Sequence, residues 1–375
     1  MVSSFLLGLV IIGPGLVPAA QAGEGRARYL VVLEDSAGPV RDLASRQTGR
    51  LGVQPTHVYR QAVRGYAASL TPGEAKALAA NPTVAFVERD RRYHVATTQP
   101  APPWGLDRID QTPRALDGSF NYVATGAGVT AYVIDTGVRL SHSEFDGRGG
   151  TGRDFVNPGT SATDCNGHGT HVAGTIGGET YGVAKSVSIV ALRVLDCSGW
   201  GWLSDIVRAV NWVTADHVQG DPAVANMSLG GPPSRVLNVA VRRSIADGVV
   251  YTLAAGNEGQ SACNTSPARV PPAITVSATN RQDVRPYWAN FGSCVDLFAP
   301  GTWITSAWKG NDSQSKAISG TSMAAPHAAG VVALQLELTP DADPAATWTA
   351  LQGRTTKNAV ASARSANNDL LFTDL

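Results

Sequence analysis

Three residues of this chain could together open an acyl bond: Asp135, His168 and Ser322. Ser322 lies in Gly320-Thr321-Ser322-Met323-Ala324-Ala325-Pro326-His327, where mostly small residues surround one serine. A serine hydroxyl is a weak nucleophile near neutral pH, so it needs a base within reach and a group that orients the base. His168, in Asn166-Gly167-His168-Gly169-Thr170-His171, can be that base. Asp135, in Val133-Ile134-Asp135-Thr136-Gly137, can be the orienting carboxylate. Taken singly, each has a plainer role as turn carboxylate, loop histidine or helix cap. Taken together, they supply every group that acyl transfer through a hydroxyl requires. No G-x-S-x-G occurs in the sequence, so the nucleophile elbow of esterases is not available.

The elements that must position these groups are legible as patterns. Proline is tolerated only near the start of a helix, and the apolar run Ala328 to Leu338 follows Pro326, which predicts a helix beginning near Thr321 or Ser322. The Ser322 hydroxyl then sits at a helix N-terminus, where amides and dipole favour developing negative charge. Val129–Ile134, Val187–Leu195, Ala223–Met227, Val249–Leu253 and Ala273–Ala278 read as buried strands. Between them, Val172–Ile176, Leu203–Val218 and Ser234–Ala246 read as helices. The second has Ser204 or Asp205 near its start and Leu203, Ile206, Val207, Val210 and Val213 on one face; the third has Val236, Leu237, Val241 and Ile245. Strands alternating with helices predict an α/β domain with a doubly wound, mainly parallel sheet, whose functional groups collect beyond the carboxyl ends of the strands.

The front of the chain has a different character. Phe5 to Val17 is apolar but too short to span a bilayer, and Ala20-Gln21-Ala22 follows at signal-peptidase spacing, so residues 1–22 read as a secretion signal. Residues 23–95 suggest a small α+β domain in the order β-α-β-β-α-β, the ferredoxin-like arrangement, with a capping box at Thr71-Pro72-Gly73-Glu74. Thr97 to Pro103 reads as a proline-rich linker, leaving 96–375 as the main domain. The 30 Lys+Arg balance 30 Asp+Glu, which gives no electrostatic case for nucleic acid or an anionic membrane as partner. The balance is uneven, with 11 Lys+Arg against 7 Asp+Glu in 23–95, as suits two parts that dock. Four cysteines in a secreted chain allow three pairings.

The three motifs, in the order Asp, His, Ser, resemble the subtilisin-like serine proteases, in particular the proteinase K branch and its aqualysin-type secreted enzymes. The resemblance runs from residue 23 to 375 and implies an endopeptidase working through an acyl-enzyme, with residues 23–95 as a propeptide that chaperones and inhibits it. It implies Ser322 as nucleophile, His168 as general base and acid, Asp135 as its orienting group, and Asn257 (Ala254-Ala255-Gly256-Asn257) as an oxyanion-hole donor beside the Ser322 N–H. Ser228-Leu229-Gly230 and Ala254-Ala255-Gly256 resemble the walls of an S1 pocket; neither carries a charge, so apolar and aromatic P1 side chains are expected over Lys or Arg. Ser198-Gly199-Trp200 resembles the edge strand that pairs with an extended substrate, and Trp202 stands where an aromatic lines S4, or else in the core.

Further implications concern stability and processing. The family pattern pairs Cys165 with Cys197 and Cys263 with Cys294. Structural calcium is implied at Asp296 with the carbonyls of Pro271 and Ala273, and at Asp107, Asp110, Gln111 and Asp117, where Ser119 replaces the asparagine usual in that site. No catalytic cofactor is expected. Processing near Val95-Ala96 would leave Arg91-Arg92-Tyr93-His94-Val95 as a product-like inhibitor of a secreted, monomeric enzyme acting on polypeptides.

Overall fold

The computed structural model describes residues 26–90, 97–150 and 152–375. The signal segment 1–22 and the processing stretch 91–96 therefore lie outside the described residues. The chain divides into two compact units, Met1–Tyr93 and His94–Leu375.

In the first unit the elements are β1 (Ala27–Leu33), α1 (Val40–Arg50), β2 (Pro55–Tyr59), β3 (Gly65–Leu70), α2 (Pro72–Ala79) and β4 (Val84–Arg89). They form an antiparallel sheet in the order β2-β3-β1-β4, as the ferredoxin-like reading expects. The capping box is formed: the Thr71 hydroxyl accepts from Glu74 N–H at 3.2 Å, and Glu74 accepts from Thr71 N–H at 2.8 Å. Val31, Leu33, Leu43, Tyr66, Leu70 and Leu78 close a small core.

The second unit opens with β5 (Thr97–Pro100), α3 (Trp104–Ile109) and β6 (Ser119–Tyr122). Here the sequence reading needs correction. Thr97 to Pro100 is not a free linker but a strand paired antiparallel with β6. Lys185 holds it by donating to Gln99 Oε1 at 2.7 Å, its ammonium lying over Phe120 and Tyr122. Composition alone could not show this, because the partners come from residues about 20 and 90 positions away.

The sheet that positions the site contains β7 (Thr130–Asp135), β8 (Arg153–Asp154), β9 (Ser188–Arg193), β10 (Ala223–Met227), β11 (Val250–Ala254), β12 (Ile274–Thr279) and β13 (Leu297–Pro300). Helices α4 (His168–Gly177), α5 (Leu203–Asp216) and α6 (Arg235–Asp247) intervene, and β14 (Ile304–Ala307), β15 (Ser315–Ile318), α7 (Thr321–Leu338) and α8 (Pro344–Arg354) complete the unit. The strand order is β13-β12-β11-β10-β7-β9-β8, with every pair parallel. Alternation along β7 divides the interior in two. Ala131 and Val133 face the layer of α4 and α7, while Tyr132 and Ile134 face that of α5 and α6. Both faces are covered, so the strands read as continuous apolar runs, and the doubly wound expectation holds.

Two helix faces differ from their sequence reading. Leu203 and Val236 are exposed, and the buried stripes are Ile206, Ala209, Val210, Val213 on α5 and Leu237, Ala240, Val241, Ile245 on α6. Apolar residues in a first helical turn can fit the periodicity and still point away from the sheet.

Candidate active site

Every group singled out for chemistry follows the carboxyl end of a sheet strand or opens a helix. Asp135 is the last residue of β7, Ser228 follows β10, and Asn257 lies three residues beyond β11. His168 is the first residue of α4, not a loop residue before it, and Ser322 is the second of α7. Pro326 is the sixth residue of α7, beyond the first turn, although the helix begins where its presence predicts.

Asp135 is fully buried and accepts from His168 Nδ1 at 2.7 Å through Oδ1, which also accepts Thr136 N–H at 2.7 Å. With its proton held on Nδ1, the ring presents Nε2 as the free base. About a quarter of the His168 side chain is exposed. Burial opposes its positive charge, but the Asp135 carboxylate, its hydrogen bond and the nearby Asp164 outweigh that, so the His168 pKa is raised above 6.5. The Ser322 hydroxyl donates to Ser228 O at 3.3 Å and must rotate away to meet His168.

Asn257 is oriented by Thr321. Its Oδ1 accepts both Thr321 N–H at 2.9 Å and Thr321 Oγ1 at 3.0 Å, and Thr321 Oγ1 accepts Gly256 N–H at 3.0 Å. These bonds use the amide oxygen and leave Nδ2 as a donor. Ser322 N–H is the second amide of α7 and has no carbonyl one turn back within the helix, while the next amide, Met323 N–H, bonds Gly320 O at 3.0 Å. Two donors therefore flank the hydroxyl without competing acceptors inside the helix.

A residue that motif reading passed over holds the histidine loop. The Asp164 carboxylate, 6% exposed, accepts Asn166 N–H, Gly167 N–H and Thr136 Oγ1 through Oδ1 and both donors of Thr170 through Oδ2, at 2.6–3.0 Å. Thr136 Oγ1 in turn accepts Gly169 N–H at 2.9 Å. An aspartate four residues before a glycine-flanked histidine was the available signal. Gly167, at φ 109°, turns the chain into α4 where a side chain would strike Trp308.

Two cavities meet at Ser228–Pro232. One, about 450 Å³, is lined by Ser228, Leu229, Gly230, Ala254, Gly256 and Ser322, and also by Asn257 and Glu258. Ala255 is buried behind it, and Glu258 adds a carboxylate that the two wall segments lack; its Oε2 accepts Asn290 Nδ2 at 2.8 Å. The other, about 660 Å³, joins His168 to Gly199, Trp200, Leu203, Ile206 and Leu237. The structure qualifies two readings here. Trp202, 79% exposed, is outside the core and lines an adjoining cavity with Trp200 and Gly201, while Leu203 lines this one. Ser198-Gly199-Trp200 is a turn and not an edge strand: all three amides are taken by Asp196, two by its carboxylate and one by its carbonyl. Gly199 at φ 83° permits that turn.

Both disulfides, Cys165–Cys197 and Cys263–Cys294, are formed. The first ties the His168 loop to the Ser198 turn. The calcium candidates divide. Asp296 is half-buried with one amide donor, Thr275 N–H at 2.8 Å, and burial pushes its pKa up to about 6, so its remaining oxygen is available to a cation. Asp107 and Asp110 are also raised by burial, with Asp117 repelling both, and Asp110 Oδ1 is buried without a partner. Their other oxygens accept amides of Asp117, Gly118 and Asn121, while Gln111 Nε2 donates to Pro113 O and Ala115 O and the Ser119 hydroxyl to Asp117. Most oxygens of this second site are thus already taken by protein donors, so it fits a cation less well, although among the described residues no three acidic, histidine or cysteine side chains converge at either site.

Comparison with known proteins places this geometry. Residues 126–372 match the model of the subtilase family, and residues 28–96 that of the peptidase inhibitor I9 family. An extracellular serine proteinase of Thermus sp. (strain Rt41A) is 50% identical over 331 residues, covering 88% of this chain and 80% of that protein. Alkaline serine exoprotease A of Vibrio alginolyticus is 44% identical over 361 residues, covering 92% and 67%. The crystal structure of a cold adapted subtilisin-like serine proteinase superposes with a TM-score of 0.71 at 52% identity, covering 73% of this chain and 99% of that one. The chain thus belongs to the subtilase family of serine endopeptidases and carries an inhibitor I9 domain ahead of its catalytic unit.

Proposed function

We propose that this subtilase is a secreted precursor in which residues 1–22 are removed on export, 23–95 chaperone and inhibit, and 96–375 form the protease. Its relatives named extracellular proteinase and exoprotease support secretion. In this reading Ser322 Oγ gives its proton to His168 Nε2 and attacks a peptide carbonyl. Asn257 Nδ2 and Ser322 N–H then bind the oxyanion. The imidazolium, stabilised by Asp135, protonates the leaving amine. Water enters against the same base, releases the acyl group and restores the hydroxyl. The observation that carries this is the 2.7 Å bond from His168 Nδ1 to the buried Asp135, with His168 opening one helix and Ser322 in the first turn of another on the same face of the sheet.

The substrate is read as an extended polypeptide, with Ser228–Gly230 and Ala254–Gly256 around an apolar or aromatic P1 side chain. Glu258 is already engaged by Asn290, which favours apolar residues there. Calcium is assigned a structural role at Asp296, the better fitting of the two candidate sites; no part of the chemistry passes through it. The mature unit is read as a monomer, and the balance of 30 Lys+Arg against 30 Asp+Glu gives no electrostatic reason for a nucleic-acid or membrane partner.

Ser322→Ala should abolish casein hydrolysis, and wild type should cleave Phe and Leu P1 peptides faster than Lys; residual activity in the variant, or a Lys preference, would refute the respective claim. The free base is the active form of His168 and its pKa is raised, so kcat/KM should rise with pH through a midpoint above 6.5, and a midpoint at or below that value contradicts the Asp135 and Asp164 field. A chelator should lower the thermal inactivation temperature of wild type but not of Asp296→Asn, since a bound cation adds about 2.7 kcal/mol at 100-fold over its Kd. Equal sensitivity of the two proteins would remove calcium from Asp296.

A further inference from the structure

Pro326 creates a defect in α7 at the most sensitive place. In an α-helix the N–H of residue 326 would donate to the carbonyl four residues back, which is Ser322. Proline has no N–H, so the carbonyl of the very residue that bears the nucleophilic hydroxyl loses its helical partner. The structure supplies another donor from outside the helix: Ser228 Oγ donates to Ser322 O at 2.8 Å.

That donor is itself held in place. Ser228 Oγ accepts Asn226 Nδ2 at 2.8 Å, and Asn226 Oδ1 accepts Thr252 Oγ1 at 2.9 Å. Asn226 and Thr252 face each other across the β10–β11 ladder and are buried, as is Ser228. Asn226 Nδ2 can only donate, so the Ser228 proton points to Ser322 O. The chain of bonds runs from the middle of the sheet to the start of α7. Ser322 answers through its own hydroxyl to Ser228 O, so the two residues are joined in both directions.

We propose that the Ser228 side chain is a positioning residue for Ser322, a hydroxyl standing in for the main-chain N–H that Pro326 removes, with Asn226 and Thr252 setting its direction. This is separate from the place of the Ser228 backbone in the cavity wall, which truncation of the side chain leaves intact. It rests on the reading of Ser322 as nucleophile.

A four-enzyme cycle tests it: wild type, Ser228→Ala, Pro326→Ala and the double variant, with kcat normalised to active sites labelled by a fluorophosphonate. In the native background Ser228→Ala should lower kcat about tenfold with KM within about twofold, the effect of one lost hydrogen bond on a group that must be placed closely. In the Pro326→Ala background the main-chain N–H restored at position 326 bonds Ser322 O, and Ser228→Ala should then change kcat by less than about twofold. An equal loss in both backgrounds, or none in the first, overturns the proposal. If Ser228→Ala yields no folded enzyme, Thr252→Val loosens the far end of the same chain and should show the same loss of kcat and the same suppression. Ser322→Ala separates the two readings: activity surviving there defeats the nucleophile assignment, whereas an inactive Ser322→Ala with no coupling defeats this inference alone.

Discussion

The site depends on how closely two helices pack. α4 delivers His168 and α7 delivers Ser322, and both lie on the same face of the sheet. At their contact, a side chain on Gly330 would fall 2.5 Å from Val183 Cβ and 3.1 Å from Ile176 O. Toward β14, one at Gly174 on α4 would fall 2.4 Å from Ser306 Oγ. Small residues thus let α7 pack closely on α4 and α4 on β14, and bulkier ones would shift His168 relative to Ser322. α7 is buried from Met323 to Leu336, apolar on every side, so its position is fixed by packing on all faces. A helix held this firmly can present a hydroxyl at its first turn without help from a flexible loop.

Around that frame lies a shell of buried polar side chains. Asp164 fixes the loop before His168, Thr321 fixes Asn257, and Asn226 with Thr252 fixes Ser228. In a dry interior each donor must find its acceptor, so every one of these side chains has few alternative positions. The reacting groups inherit that rigidity.

Much of the frame was legible in the sequence because it depends on short-range pattern. The five central strands, the capping box at Thr71 and the start of α7 all follow from apolar runs and local caps. What escaped depends on partners distant in the chain. β13 and the two-residue β8 are sheet edges whose pairing defines them, and Thr97–Pro100 is a strand only because Ser119–Tyr122 lies beside it. The site divides in the same way. Asp135, His168, Ser322 and Asn257 stand in distinctive motifs, but the turn at Ser198–Trp200 is imposed by Asp196, and Leu203 lines the His168 cavity while Trp202 lines the adjoining one. Neither can be read from residue type.

The central claim is that one hydroxyl at the start of α7 is activated and all others are inert. Treatment with a fluorophosphonate after removal of the propeptide, followed by intact-mass measurement and peptide mapping, tests it most directly. The account predicts one adduct per molecule, on the peptide containing Ser322, with none in protein held at a pH well below the His168 midpoint. An adduct on any other residue, or no adduct on active protein, would contradict it.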